Sequence, residues 1–274
     1  MEQIPNCGFG TYRLKGNEAK NSVLHALKCG YTHIDTANLY ANETEVGEAI
    51  KENGVQRSDI WITTKVQIKD IRKGQDAIYE SIRQSLEKLD TSYIDLVLLH
   101  GPVEGQLIES WKALENILMD KCEKIKKERI RFIGVSNYDV QHLETILDIC
   151  EIKPYANQFE ISPYLNRDEL VKFCKLNDII VVAHTSLIKG EKFKDPKLIK
   201  IHQEEKISKA LLLLGWALTH GMVVLPRSKN PKHIEKNLNC INTKLCDSII
   251  RVMNRFHEED TYFTHPQYIK HIKK

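Results

Sequence analysis

An aspartate, a tyrosine, a lysine and a histidine stand at or just past the ends of successive short apolar runs, at Asp35, Tyr40, Lys65 and His100. Together these side chains can place a proton on a forming alkoxide. Reduction of a carbonyl needs a hydride donor and, for the oxygen, a proton donor. A phenol titrates near about 10 in water, and a cation beside it favours the phenolate and eases proton release. Lys65 is a candidate for that cation, Asp35 for the carboxylate that fixes it and keeps it charged, and His100 for the group that hydrogen-bonds the substrate oxygen and shares the proton. Each residue alone has a plainer explanation. A loop tyrosine is usually a surface tyrosine, an aspartate after a strand often caps a helix, and a histidine at a strand end is more often structural than catalytic. The spacing also leaves open a lyase chemistry in which Lys65, as a neutral amine, attacks a carbonyl carbon to form a Schiff base. An Asp35–Lys65 pair argues against it.

Such residues need a scaffold that brings them together. Near-continuously apolar, β-branched runs over residues 7–11, 33–37, 60–66, 94–100, 131–136, 156–160, 179–185 and 223–227 read as parallel strands covered on both faces. Apolar residues at helical spacing fill 19–28, 43–51, 75–89, 108–119, 140–149, 167–175, 208–220 and 231–239. No linker rich in Pro, Gly or Ser divides them. The pattern predicts the α/β class, a (β/α)8 or TIM barrel forming one domain over residues 1–274, with an N-terminal segment and a last helix over 244–256 plus tail added. In a barrel the chemistry gathers at the C-terminal strand ends. Those ends carry Tyr12, Asp35, Tyr40, Lys65, His100, Ser136, Asn137, Gln158, His184 and Ser228. A doubly wound open sheet is the alternative, but it calls for a third glycine that Gly8-Phe9-Gly10-Thr11-Tyr12-Arg13 lacks.

Composition narrows the partners. The chain has 274 residues, 42% hydrophobic and 28% charged, with a formal net charge of only +3, which does not suggest nucleic acid. The basic clusters at 121–127 and 270–274 read as a solvated helix face and a frayed tail. Met1-Glu2-Gln3-Ile4-Pro5 lacks the features of a secretory signal, and the most apolar stretch, 211–218, is too short to span a bilayer. Seven cysteines without CxxC spacing fit reduced thiols in the cytoplasm. The histidines and acids show no metal-ligand spacing. The expectation is a cytoplasmic protein acting on a small molecule, without metal, membrane or nucleic acid.

The run Gly-Tyr-Thr-His-Ile-Asp-Thr-Ala-Asn-Leu-Tyr-Ala-Asn-Glu-Thr-Glu-Val-Gly-Glu-Ala-Ile over 30–50 resembles the first signature of the aldo-keto reductases. Ile62-Thr63-Thr64-Lys65 resembles the family's lysine strand and 93–100 its histidine strand. Ile133-Gly134-Val135-Ser136-Asn137-Tyr138 and Asn157-Gln158-Phe159-Glu160 resemble its carboxamide-binding strands, and Val224-Leu225-Pro226-Arg227-Ser228 its phosphate-binding strand end. The matches run in family order over most of the chain. The resemblance implies NAD(P)H-dependent reduction of aldehydes and ketones to alcohols, a tetrad of Asp35, Tyr40, Lys65 and His100, and Tyr40 as proton donor. It implies that Ser136, Asn137 and Gln158 hold the nicotinamide carboxamide. Further cofactor contacts would come from Gly10, Thr11, Asp35, His184, Thr185, Leu187, Arg227, Ser228, Lys229, His233 and Asn237. Tyr12, Tyr40, Gln67, His100 and Gly101 would meet the substrate.

Some positions depart from the family pattern. His184-Thr185-Ser186-Leu187-Ile188 replaces the usual Tyr-Ser-Pro-Leu-Gly, so the ring expected to stack on the nicotinamide is an imidazole. His233 stands where an arginine usually meets the adenosine 2′-phosphate. Arg227, Lys229, Lys232 and a helix N-terminus near Pro231 keep the neighbourhood positive, which favours NADPH over NADH. Tyr12, Gln67 and Gly101 replace larger aromatics, predicting a wider and more polar pocket. The tail at 261–265 is expected to close the pocket, and the Lys-rich loop after His184, containing Gly190 and Pro196, to fold over the cofactor. Some relatives act chiefly as cofactor-sensing regulatory subunits of ion channels and can keep the tetrad. Relatives of this length are often monomers.

Overall fold

A computed structural model of the chain describes residues 3–262 and 264. Eight strands pair in sequence order, all parallel: β1 Phe9–Gly10, β2 His33–Asp35, β3 Trp61–Val66, β4 Ile94–Leu99, β5 Ile130–Ser136, β6 Ala156–Glu160, β7 Ile180–His184 and β8 Val223–Val224. The ring closes where Gly8 N donates to Val224 O at 2.8 Å and Gly10 N to Pro226 O at 3.1 Å. This is the (β/α)8 barrel that the alternating pattern predicts. β8 is shorter than expected because Pro226 has no N–H to continue the ladder.

The period of two along each strand sorts the side chains. Ile34, Ile62, Val97, Ile133, Val135, Phe159 and Ala183 belong to the large apolar cluster shared with the helices. Trp61, Leu96, Leu98, Ala156, Val182 and Val223 form a separate small cluster inside the barrel, with Phe132 packed on it. Lys65 has the parity of Trp61, and His100 that of Leu98. Ser136 follows Phe132, Gln158 follows Ala156, and His184 follows Val182. The polar residues therefore continue the inward-facing columns, above an apolar plug.

Helices cover the outside: α1 Gly16–Cys29, α2 Glu43–Asn53, α3 Ile68–Ile71, α4 Gln75–Lys88, α5 Leu107–Leu118, α6 Val140–Leu147, α7 Asp168–Leu176, α8 Pro196–Glu205, α9 Lys209–Thr219, α10 Pro231–Leu238, α11 Asp247–Met253 and α12 Phe256–Glu259. Three regions differ from expectation, the first being the single turn α3 after β3, where no helix was expected. The stretch read as a long loop after His184 becomes helical at α8, where Asp195 accepts from Lys197 N at 2.7 Å and Pro196 opens the first turn. The helix expected over 244–256 breaks into α11 and α12 after Asn254, which caps α11 and accepts from Trp216 Nε1 at 2.7 Å. The basic tail at 270–274 lies outside the described residues. No described helix is long and apolar enough to cross a membrane.

At the closed end of the barrel His33 is fully buried, its Nε2 3.0 Å from Thr63 Oγ1. Burial is the main cause that lowers its pKa to about 3. In the unfolded chain it titrates near about 6.5. Its proton is therefore taken up only on unfolding, so its stabilising effect is complete above that value and is lost as the pH falls towards 3. Urea unfolding should show stability falling by about 1.4 kcal/mol per pH unit across this window from His33 alone. His33→Gln, which keeps a partner for Thr63, should remove that component. Equal slopes for the two proteins would contradict it.

Candidate active site

At the C-terminal mouth of the barrel the tetrad residues are in contact. Lys65 is 1% exposed. Its Nζ donates to Asp35 Oδ1 at 2.6 Å, to the Thr36 carbonyl at 2.8 Å and to the Tyr40 hydroxyl at 3.4 Å. An ammonium has three hydrogens, and each has a partner. Burial pulls the lysine below its ordinary range, while the Asp35 charge and hydrogen bond oppose that pull. With every donor engaged, Lys65 is a poor candidate for the Schiff-base amine.

Tyr40 ends a short 3-10 turn, Asn38–Tyr40, that follows β2. Its ring lies 5.7 Å from that of His100 and 5.1 Å from that of Tyr12. The turn is pinned from behind by Asn42, which is fully buried. Asn42 donates to the Thr11 and Leu14 carbonyls at 2.9 Å and accepts from Thr36 Oγ1 at 2.8 Å. One amide thus fixes the loop carrying Tyr12 to the loop carrying Tyr40. The imidazole of His100 is pushed down to about 3, first by loss of hydration and then by the Lys65 charge. It is neutral at working pH and suited to a hydrogen bond with a carbonyl oxygen.

The polar contacts continue along the mouth. Gln158 Nε2 donates to the second Asp35 oxygen at 2.8 Å, and Ser136 Oγ to the Gln158 carbonyl at 2.8 Å. Asn137 Nδ2 donates to Ser136 Oγ at 3.1 Å and to the His100 carbonyl at 3.0 Å. His184 Nε2 lies 3.1 Å from Asn137 Oδ1, and its Nδ1 2.9 Å from Thr185 Oγ1. Arg13, Ala41, Asn137, Thr185, Ile188 and Lys189 all have φ between 50° and 65° near this rim. Left-handed backbone at the β-branched Thr185 and Ile188 is uncommon and costs on the order of 1–3 kcal/mol each.

These residues surround a cavity of about 470 Å³. Of the expected site residues, Gly10, Tyr12, Asp35, Tyr40, His100, Ser136, Asn137, Gln158, His184, Thr185, Leu187 and Arg227 line it. Lys65 lies behind Asp35. Thr11 is buried, its hydroxyl donating to the Asp35 carbonyl at 3.0 Å. Gln67 turns away to donate to Asn38 Oδ1, and neither it nor Gly101 is part of the wall. Ser228, Lys229, His233 and Asn237 also lie outside this wall, on the β8–α10 turn and α10. Lys229 pairs with Glu18 at 3.3 Å. Arg13, Leu39, Lys189, Phe193 and Leu214 line the cavity without having been singled out by the sequence.

The loop after His184 supplies residues 185–187, 189, 190 and 193 to the wall. Of the tail expected at 261–265, the described residues touch this loop where Lys189 Nζ donates to the Thr264 carbonyl at 3.4 Å and Lys192 lies over the Tyr262 ring. The tail is also tied to the barrel, Tyr262 N donating to the Tyr164 carbonyl at 3.0 Å and Thr264 N to Glu160 at 2.7 Å, and just before it Asp260 pairs with Lys192 at 2.5 Å. Phe263 and His265 lie outside the described residues. Among the described residues no cluster of three metal-ligating side chains occurs.

The family model described as the aldo/keto reductase family matches residues 6–258. A 9,11-endoperoxide prostaglandin H2 reductase from Trypanosoma cruzi is 35% identical over 261 residues, spanning 94% of this chain and 89% of that protein. The glyoxal reductase of Bacillus subtilis is 36% identical over 244 residues, spanning 89% of this chain and 85% of that protein. An aldo-keto reductase crystal structure from a Medee basin deep-sea metagenome library superposes with a TM-score of 0.88 at 31% identity, covering 96% of this chain and 94% of that one.

Proposed function

The chain belongs to the aldo/keto reductase family and is an NAD(P)H-dependent oxidoreductase of carbonyl compounds; on that premise we propose that Tyr40 is its proton donor, that Asp35 and Lys65 tune Tyr40, that His100 orients the substrate oxygen, and that NADPH is its preferred reductant. The observation that carries this reading is the Lys65 ammonium, held by Asp35 and Thr36 and placed 3.4 Å from the Tyr40 hydroxyl. A fixed cation at that distance favours the phenolate that proton transfer leaves behind.

The residues around the cavity fit a nicotinamide. Asn137 uses both amide hydrogens on His100 and Ser136 and one oxygen lone pair on His184, which leaves it one acceptor site. Ser136 keeps one acceptor site, and the Gln158 side chain keeps its carbonyl and one amide hydrogen. That set complements a carboxamide. Arg13, Lys189 and Arg227 on the cavity wall suit phosphate oxygens. The bound cofactor supplies the hydride. Tyr40 gives its hydroxyl proton to the alkoxide oxygen. Neutral His100 hydrogen-bonds the same oxygen, and Lys65 holds its charge without leaving Asp35.

Small reactive aldehydes are the proposed substrates, glyoxal first among them, as the name of the Bacillus subtilis relative suggests. Loss of reduced-nicotinamide absorbance with glyoxal and with a nitrobenzaldehyde tests this. NADPH should be preferred over NADH by at least about tenfold, the worth of one charge-assisted contact. Equal use of both would remove the 2′-phosphate assignment to Arg227, Ser228, Lys229 and His233. Tight cofactor binding without turnover would replace the catalytic reading with a regulatory one.

A further inference from the structure

A stacking aromatic residue presents its face; the imidazole of His184 also uses its edge. Its two nitrogens lie 3.1 Å from Asn137 Oδ1 and 2.9 Å from Thr185 Oγ1. The other partners of Asn137 fix which atom is which. Its amide is 3.0 Å from the backbone carbonyl of His100, and a carbonyl can only accept. That contact must be made by Nδ2, so the amide turns its oxygen to His184. Nε2 of His184 therefore carries hydrogen. In the neutral ring Nδ1 then accepts, and the hydrogen it accepts is that of the Thr185 hydroxyl.

Both ends of this contact stand on left-handed backbone, with φ of 61° at Asn137 and 60° at Thr185. Asparagine tolerates that conformation; a β-branched threonine seldom adopts it. Such a residue persists where its surroundings over-determine it. The bond from Thr185 to Nδ1 is one such constraint, and it also selects the tautomer that serves Asn137.

We propose that His184 is a positioning residue that locks the Asn137 amide by a donated hydrogen bond, and so fixes the donor and acceptor pattern offered to the cofactor's carboxamide. This rests on the reading above that Ser136, Asn137 and Gln158 hold that group. With Oδ1 held by His184 and Nδ2 held by His100 and Ser136, the amide cannot exchange its ends. A hydrogen-bonding role differs from a stacking role in which substitutes it accepts. Phenylalanine keeps a flat aromatic face but has no donor. Glutamine has no face, but its Nε2 reaches about as far as that of histidine.

The test compares His184→Phe with His184→Gln, each alone and with Asn137→Ala, by fluorescence titration with NADPH and by steady-state kinetics. His184→Phe should weaken NADPH binding by about tenfold and lower kcat. His184→Gln should recover most of that loss. In the Asn137→Ala background His184→Phe should cost little more. Thr185→Val, which removes the partner of Nδ1, should move binding in the same direction by less, and it keeps the proposal testable if the phenylalanine variant does not fold. Native-like binding by His184→Phe together with weak binding by His184→Gln would overturn the proposal in favour of stacking, as would full additivity with Asn137→Ala. If the native chain itself binds no NADPH, the cofactor-site reading fails instead.

Discussion

Tyr40→Phe should lower the rate of aldehyde reduction by about 10³-fold or more, within and above the range seen for loss of a positioned acid, while NADPH still binds. The phenol oxygen is the atom that Lys65 approaches at 3.4 Å, and no other hydroxyl stands between that ammonium and the cavity in the described contacts. Removing it deletes the proton source without opening a hole, since the ring keeps its packing on Tyr12 and His100. Neutral His100 is a weak substitute. Its depressed pKa leaves almost no imidazolium at neutral pH. Single-turnover reduction, in which release steps do not intervene, is the measurement to make. A loss below about tenfold would mean that the proton arrives by another route, with water or His100 as donor.

Asp35→Ala should produce the largest loss of stability at the site, about 3–5 kcal/mol, because it strands a buried ammonium. The lysine side chain is fully enclosed, and its partner's side chain is 5% exposed. Lys65→Met leaves the Asp35 carboxylate buried, but Gln158 still donates to it and a carboxyl can take up a proton, so its cost to folding should be milder. Both should lose most activity. The double replacement should be more stable than Asp35→Ala alone, a sign reversal that a simple sum of two losses forbids. Urea unfolding of the four proteins decides it. If Asp35→Ala unfolds at the native midpoint, the lysine has either lost its proton or found water, and its role as a fixed cation beside Tyr40 fails with it.

Much of this site can be read from the strands, because alternation transmits position along them. Once Trp61 and Val182 are inside the barrel, Lys65 and His184 must project inward at its mouth. The inward placement of Lys65, His100, Ser136, Gln158 and His184 was therefore accessible from the strands, whereas Tyr40, on the turn after β2, was marked by its motif alone. Residues brought in by loops were not. Phe193 and Leu214 line the cavity from a loop and from α9, and no periodicity announces that. Asn42 had only its place in a motif to mark it, although it fastens two loops. Gln67 occupies a substrate position by motif but bonds to Asn38, because the Asn38–Tyr40 turn comes close enough to capture its amide. The signal for α8 was present, an Asp195-Pro196 pair at the cap and first turn, but the surrounding lysines make that stretch read as loop.

The run of contacts from Thr185 through His184, Asn137, Ser136, Gln158 and Asp35 to Lys65 and Tyr40 also bears on how this enzyme could be redesigned. Members of one hydrogen-bond network do not respond independently to substitution, so library positions along this run will show strong epistasis, with the best residue at one place depending on its neighbours. Leu39 and Phe193 border the same cavity with apolar side chains that no described hydrogen bond ties to that run, whereas Tyr12 packs on the Tyr40 ring. A search for new substrates should randomise Leu39 and Phe193 first, where gains found singly can be combined, and leave Tyr12 and the hydrogen-bonded rim to libraries that vary several positions at once.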